Sequence, residues 1–236
     1  MKLDFGNERV LAVVAHPDDA ELLCAGTLAR AKSDGAAIAI AVLCNGAGGQ
    51  PHKPIRNLAA VRRCEMDAAA GLLGAELYCG NIFDGTLADD RPTRLLLTEV
   101  YRQFRPSLVL AHAPADYHTD HRAASTLAEV ASWFCASRGQ KTKSAPLPAS
   151  PALWWMDTVN MTGFEPAFYA DISRFMPLKE KMLACHQSQT ARGNDSSFSP
   201  LLDMMRLQAC ARGAQAGVAA AEAFRAHLAF KRVRAW

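Results

Sequence analysis

No run of about 18 uncharged apolar residues, the length a helix needs to cross a bilayer, occurs in the 236-residue chain. Its start, Met1–Glu8, lacks the apolar core of a secretory signal, so the expectation is a cytoplasmic protein with no membrane partner. An excess of one charge is missing too. The 26 basic and 23 acidic residues leave a net +3, too balanced for a nucleic-acid partner to be expected. The short basic end, Lys231-Arg232-Val233-Arg234, reads as a solvated tail. Seven cysteines, at 24, 44, 64, 79, 135, 185 and 210, contain no C-x-x-C. An odd, scattered set argues against a disulfide framework or a thiolate zinc site and suits small buried hydrophobes in a reducing compartment. Also absent are G-x-G-x-x-G, the G-K-[ST] of a phosphate loop and any internal repeat.

What is present is regular alternation. Half of the residues are apolar, enough for a sizeable core at this length. Strands are expected at about 9–15, at Ala37–Cys44, Glu76–Cys79 and Pro106–Ala111, and helices at about 20–34, 57–73, 93–104 and 122–135. Such βα repetition predicts a single α/β domain over 1–236, Rossmann-like, with a mostly parallel sheet flanked by helices. Leu153–Met156 and Ala167–Ala170 read as further strands, antiparallel at the sheet's edge. Between them and the fourth helix, 137–151 is rich in Lys, Ser, Gly and Pro and reads as an exposed loop; it is a candidate lid. A helix is expected from Ser173 to His186, and Pro200 opens an Ala-rich helical stretch to about Phe230.

The ionisable residues collect just past two strand ends. The first strand runs into Ala15-His16-Pro17-Asp18-Asp19-Ala20-Glu21, and the fourth into His112-Ala113-Pro114-Ala115-Asp116-Tyr117-His118-Thr119-Asp120-His121. Carboxyl ends of parallel strands are where open α/β sheets bind ligands. His16 and Asp19 are spaced i,i+3, as are His118 and His121, which at a helix start can present both members on one face. Two imidazoles and a carboxylate form a common catalytic zinc set with a position left for water. The alternative, helix caps and surface histidines, stays open for either cluster taken alone. His112 reads equally as a partner behind the site or a buried structural histidine, and His186 as packing or a contact near the site. His52 reads as exposed, His227 as a surface residue of the last helix, and Trp154 and Trp155 as core or rim.

Together the two clusters resemble the LmbE-like (PIG-L) zinc-dependent de-N-acetylases. Asn45-Gly46, the R-x-x-E of Arg62 and Glu65, Pro106, His186-Gln187-Ser188-Gln189, Arg212-Gly213 and Glu222-Ala223-Phe224 fit as well. The resemblance implies zinc held by His16, Asp19 and His121, with Asp18 as general base; the ligand set admits Fe²⁺ too. It further implies a protonated His118 stabilising the oxyanion, Asp120 orienting His118 or raising its pKa, and Arg62 and Asp84 facing a sugar. The expected activity is removal of acetyl from an N-acetylated amino sugar or its conjugate. An amidase acting on a thiol conjugate of an amino-sugar compound and a non-catalytic ligand- or nucleotide-binding module are the alternatives. The expected partner is that small-molecule substrate, with homo-oligomerisation left open. Loops 45–56, 80–92 and 137–151 are expected to shape the far end of the pocket, and nothing in them names the substrate.

Overall fold

The computed structural model describes residues 3–192 and 200–230; the basic end at Lys231–Arg234 and most of the polar segment 188–199 lie outside them. Strands β1 (Arg9–Val14), β2 (Ala37–Cys44), β3 (Glu76–Ile82), β4 (Leu108–Ala111) and β5 (Ala152–Met156) run parallel. With β6 (Phe168–Asp171) and β7 (Ala221–Ala226) they form one seven-stranded sheet in the order β3-β2-β1-β4-β5-β7-β6. The expected α/β, mostly parallel architecture is the one observed. Its helices are α1 (Asp19–Leu23), α2 (Ala25–Ser33), α3 (Leu58–Leu73), α4 (Arg91–Phe104), α5 (Thr119–Phe134), α6 (Met176–Ala184), α7 (Gln187–Thr190) and α8 (Leu201–Ala216).

Because side chains alternate along a strand, β1 feeds two cores. Val10, Ala12 and Val14 join Leu28, Met66, Met182 and Met205 from α2, α3, α6 and α8. Leu11 and Val13 join Leu97 and Tyr101 of α4 and Leu127 of α5. Burial on both faces explains why β1, β2 and β4 read as near-continuous apolar runs.

Three expectations need correction. The helix expected to reach Phe230 ends at Ala216, where Gly217 at φ +71° turns the chain out of the helix. The next segment is strand β7, antiparallel to β5 and β6. High alanine content favours a helix, but here alternation decides, with Phe224 in one core and Ala223 in the other. Leu153–Met156 pairs parallel with β4, so of the two late strands only β6 is an antiparallel edge. Segment 137–151 joins the end of α5 to the start of β5, which puts it at the opposite edge of the sheet from the two polar clusters. It is fastened there. The buried Arg102 donates to the carbonyls of Ser137 (2.7 Å) and Gln140 (3.0 Å), and Glu99 accepts from Ser144 N (3.0 Å) and Oγ (2.7 Å). A lid over the clusters is therefore excluded.

One buried ion pair ties β7 to the first helices. Cys24 precedes α2 and offers no side-chain cap, so Glu222 caps the helix from outside, accepting from Gly26 N (2.9 Å) and Thr27 N (2.7 Å). Lys179, 1 % exposed, pairs with the same carboxylate and donates to Leu22 O at 2.9 Å. Glu222→Ala strands both the lysine charge and the two amides, so a loss of about 3–5 kcal/mol is expected in urea unfolding. Lys179→Met should cost less, because the carboxylate keeps its amide donors; equal losses would contradict the capping role.

Candidate active site

β1 lies between β2 and β4, so chain connections leave it in opposite directions and a crevice opens at its carboxyl end. Val13 pairs with Ala111, and the residues following these two strands face each other across a cavity of ≈570 Å³. His16, Asp18, Asp19, His118, Asp120, His121, Arg62 and Asp84 all line it.

Asp19 opens α1 and is 4 % exposed. Through one carboxylate oxygen or the other it stands 3.4 Å from His16 Nδ1 and 3.3 Å from His121 Nε2. Those two nitrogens are 3.3 Å apart. Donors that bind one tetrahedral zinc at its usual bond lengths are roughly 3.3–3.5 Å from one another, so the donor set fits a metal ion. Overlapping groups with one ligand atom from each residue, all within 4.8 Å of one another, are His16, His118 and His121; His16, Cys44 and Asp120; and Asp19, His112 and His121. The outer nitrogen of each candidate histidine ligand meets a carboxylate: His16 Nε2 is 2.9 Å from Asp120 Oδ2, and His121 Nδ1 is 3.1 Å from Asp116 Oδ1. Such carboxylates orient imidazoles toward a metal. Burial opposes charge on His121, yet Asp19 and Asp116 raise its pKa to about 10. Burial likewise opposes charge on Asp19, but His121 and His112 hold it well below the usual carboxylate range. This centre stabilises a positive charge, whether proton or metal ion.

Asp18 adjoins the centre in a left-handed conformation, φ 91°. For a non-glycine residue this costs on the order of 1–3 kcal/mol, a kind of strain that clusters at functional sites. Burial raises its pKa, the Arg62 guanidinium beside it lowers it, and the Asp19 charge raises it again; the net direction is up. Arg62 donates to Asp18 Oδ2 at 2.7 Å and also to Pro17 O. Its side chain crosses Gly46, φ +75°, where a Cβ would lie 2.5 Å from Arg62 Cδ. Asp84 accepts from Gly46 N and Gly48 N, both at 2.8 Å, and so holds the glycine loop. The two residues expected to face a sugar thus line the cavity with protein partners of their own.

His118 caps α5, and its Nδ1 accepts from Asp120 N at 3.2 Å. That bond assigns the proton of the neutral ring to Nε2. Burial lowers the His118 pKa, and His121 and His16 lower it further. The Asp120 charge raises the His118 pKa as expected, but the net direction is downward, away from the expected protonated His118. Asp120 also orients His118 through its backbone amide, while its carboxylate meets His16 Nε2 and accepts from Gly85 N (2.6 Å).

Two participants went unassigned in the sequence. Asp116 sat inside the second cluster without a role. His112, fully buried, accepts from Ala15 N at 3.1 Å and stacks on His121 at 4.0 Å, which settles it as a partner behind the site. His186 is fully buried beside Glu21, Nε2 to Oε2 3.4 Å. Glu65 holds Ser188 through its amide and hydroxyl, both at 2.7 Å. Trp154 and Trp155 are core, His52 is exposed, and none of the seven cysteines forms a disulfide. His227 follows β7 instead of ending a helix and pairs with Glu129 at 3.1 Å. No helix among the described residues is long and apolar enough to cross a membrane.

Comparison with known proteins points the same way. A family model described as PIG-L: GlcNAc-PI de-N-acetylase matches residues 11–132, just over half of the chain. A conserved protein of Thermus thermophilus shares 32% identity, with TM-score 0.80 over 97% of this chain and 100% of that one. The N,N'-diacetylchitobiose deacetylase of Pyrococcus horikoshii, solved with its inhibitor MPG, shares 26% identity, with TM-score 0.82 over 93% of this chain and 84% of that one. The 4-oxalmesaconate hydratase of Pseudomonas putida is 32% identical over 149 residues. That match takes in 60% of this chain and 58% of the hydratase, less than two thirds of its length.

Replacing His121 by Ala should abolish stoichiometric zinc binding, measured by elemental analysis after dialysis against trace zinc. Asp116→Asn should weaken zinc roughly 10- to 100-fold without abolishing it. Unchanged affinity in both would show that the metal, if bound, sits elsewhere.

Proposed function

Since the chain belongs to the PIG-L de-N-acetylase family, we propose that it is a zinc-dependent hydrolase removing acetyl from an N-acetylated amino sugar or its conjugate. The observation that carries this reading is the meeting of His16, Asp19 and His121, whose polar atoms approach pair by pair to 3.3 or 3.4 Å through the two oxygens of Asp19, with Asp18 next to them, buried and gripped by Arg62. Zinc bound there supplies Lewis acidity, bringing the pKa of water to roughly 7 and polarising a carbonyl.

The protein's residues do the rest. Asp18, in its carboxylate form, takes a proton from the attacking water. Attack on the amide carbon puts negative charge on the former carbonyl oxygen, and the His118 Nε2–H is a neutral donor for it, a contribution typically of about 3–4 kcal/mol. The C–N bond then breaks, Asp18 returns the proton to the departing nitrogen, and acetate and a free amine leave. Arg62 opposes the upward push that burial and the Asp19 charge give to the Asp18 pKa.

The hydratase relative supplies a second reading, addition of water to an unsaturated polycarboxylate, and the lining of the cavity disfavours it. Asp18, Asp19, Asp84 and Asp120 line it against one arginine and no lysine, and that arginine is committed to Asp18 and Pro17. His121, the other lining group that favours a positive charge, is likewise committed to Asp19 and Asp116, so a polyanion would meet no cationic side chain among the described lining residues that lacks a carboxylate partner. A neutral amide meets no such repulsion. The thiol-conjugate amidase would use the same chemistry and differs in the acid released; a binding module predicts no stoichiometric zinc.

A panel of N-acetylglucosamine derivatives incubated with protein and Zn²⁺ should release acetate. Asp18→Ala should keep its zinc and lose at least about 100-fold in kcat. Full activity in that variant would remove Asp18 as the base, and stoichiometric zinc with no acetate from any derivative would overturn the deacetylase reading.

A further inference from the structure

The cavity has two unlike sides, and they meet at the catalytic cluster. One side is polar: Gly48, Gly49, Asp84 and Gly85, next to Asp120. The other is apolar: Leu22, Val159, Leu201 and Met204. These four belong to or pack against a single apolar cluster, and they share one side as a wall because α8 lies against α1 and Gln208 of α8 donates to Thr158 O, next to Val159, at 2.6 Å. The wall begins beside the base, since Leu22 N bonds to Asp18 O at 3.0 Å, one helical turn away. Leu22 and Val159 are buried, and Leu201 and Met204 are half-buried at the start of α8.

Resting on the amide-hydrolase reading above, we propose that the apolar wall is an acyl subsite that reaches beyond acetyl, so that N-acyl amino sugars with chains several carbons longer than acetyl are also substrates, and better ones. A hydrolysed amide has two ends, and they have opposite needs. Sugar hydroxyls placed against Leu22, Val159, Leu201 and Met204 would give up hydrogen bonds to water with nothing in return. The sugar therefore lies on the Asp84 side, and the acyl group, joined at the carbonyl carbon, extends over the wall. An acetyl methyl would cover little of it. A cavity of ≈570 Å³ falls mid-range for sites holding ligands larger than one monosaccharide. The chemistry is unchanged: water adds, the C–N bond breaks, and a longer carboxylate leaves with the free amine.

Two measurements test this. Titration calorimetry of the protein with one equivalent of Zn²⁺ compares acetate, butanoate and hexanoate. Binding should tighten up to about fourfold per methylene, and hexanoate no tighter than acetate overturns the subsite. Kinetics on N-acetyl-, N-butanoyl- and N-hexanoylglucosamine should show kcat/KM at least about tenfold higher for hexanoyl than for acetyl. A ratio below one also overturns it. In Met204→Glu and Leu201→Ala, checked for native melting temperature, the hexanoyl-to-acetyl ratio should fall at least about fivefold; an unchanged ratio in both places the chain elsewhere. Tighter hexanoate with no turnover of any amide would uphold the apolar subsite and refute the hydrolase reading.

Discussion

The pairing of β1 with β4 is the constraint on which the site depends. Four residue pairs, from Val10 with Leu108 to Val13 with Ala111, set two strand ends side by side that are almost a hundred positions apart in the chain. His16 comes just after the first strand, and His121 stands in the first turn of the helix after the second. A one-residue slip in this register would exchange the two faces of β1 between the cores and carry His16 out of reach of His121. The buried aliphatic character of both strands is therefore a condition of the chemistry. It makes the register costly to change.

Concentrating carboxylates in so small a volume is unfavourable unless each has its own positive or donor partner. The site solves this by separation. Asp19 lies among imidazoles, Asp116 stands behind His121, Asp120 behind His16, and Asp18 is turned to Arg62. Two neighbouring aspartates are thus given opposite surroundings, the Asp18 pKa pushed up chiefly by burial and the Asp19 pKa held down by imidazoles. The left-handed backbone at Asp18 is what aims consecutive side chains apart, and the small Gly46 is what lets the arginine pass.

Much of this was legible in the sequence, because the two strongest signals are short-range: apolar runs marked β1, β2 and β4, and dense ionisable clusters came after two of them. What single-residue patterns do not carry is the partner. Arg62 and Asp84 are plausible sugar contacts by type, yet they hold Asp18 and the glycine loop, facts that depend on α3 and the β3 loop lying beside the first turn. Asp120 looked like a partner for its neighbour His118, but its carboxylate reaches back to a residue 104 positions earlier. The segment 221–226 was misread for a related reason. Alanine favours a helix locally, and only the space between β5 and β6 makes it a strand. The loop at 137–151 has the composition of a lid, and its place at the far edge is set by the parallel strand it leads into.

The late part of the chain carries no acid, base or proposed metal ligand, but the first motif depends on it. Helix α1 has 5 residues, too few to hold its own geometry in isolation. Its end is held from outside: Lys179 of α6 takes the carbonyl of Leu22, and the Glu222 of β7 that neutralises Lys179 also supplies the cap that Cys24 cannot give to α2. β7 is in turn packed by α8, which Arg212 ties to Asp157 at 2.6 Å just beyond β5. Asp18 and Asp19 can be strained and buried because the short helix they open is clamped at its far end. The family match over 11–132 contains the chemistry, and the residues after it supply the rigidity that keeps donors 3.3 Å apart.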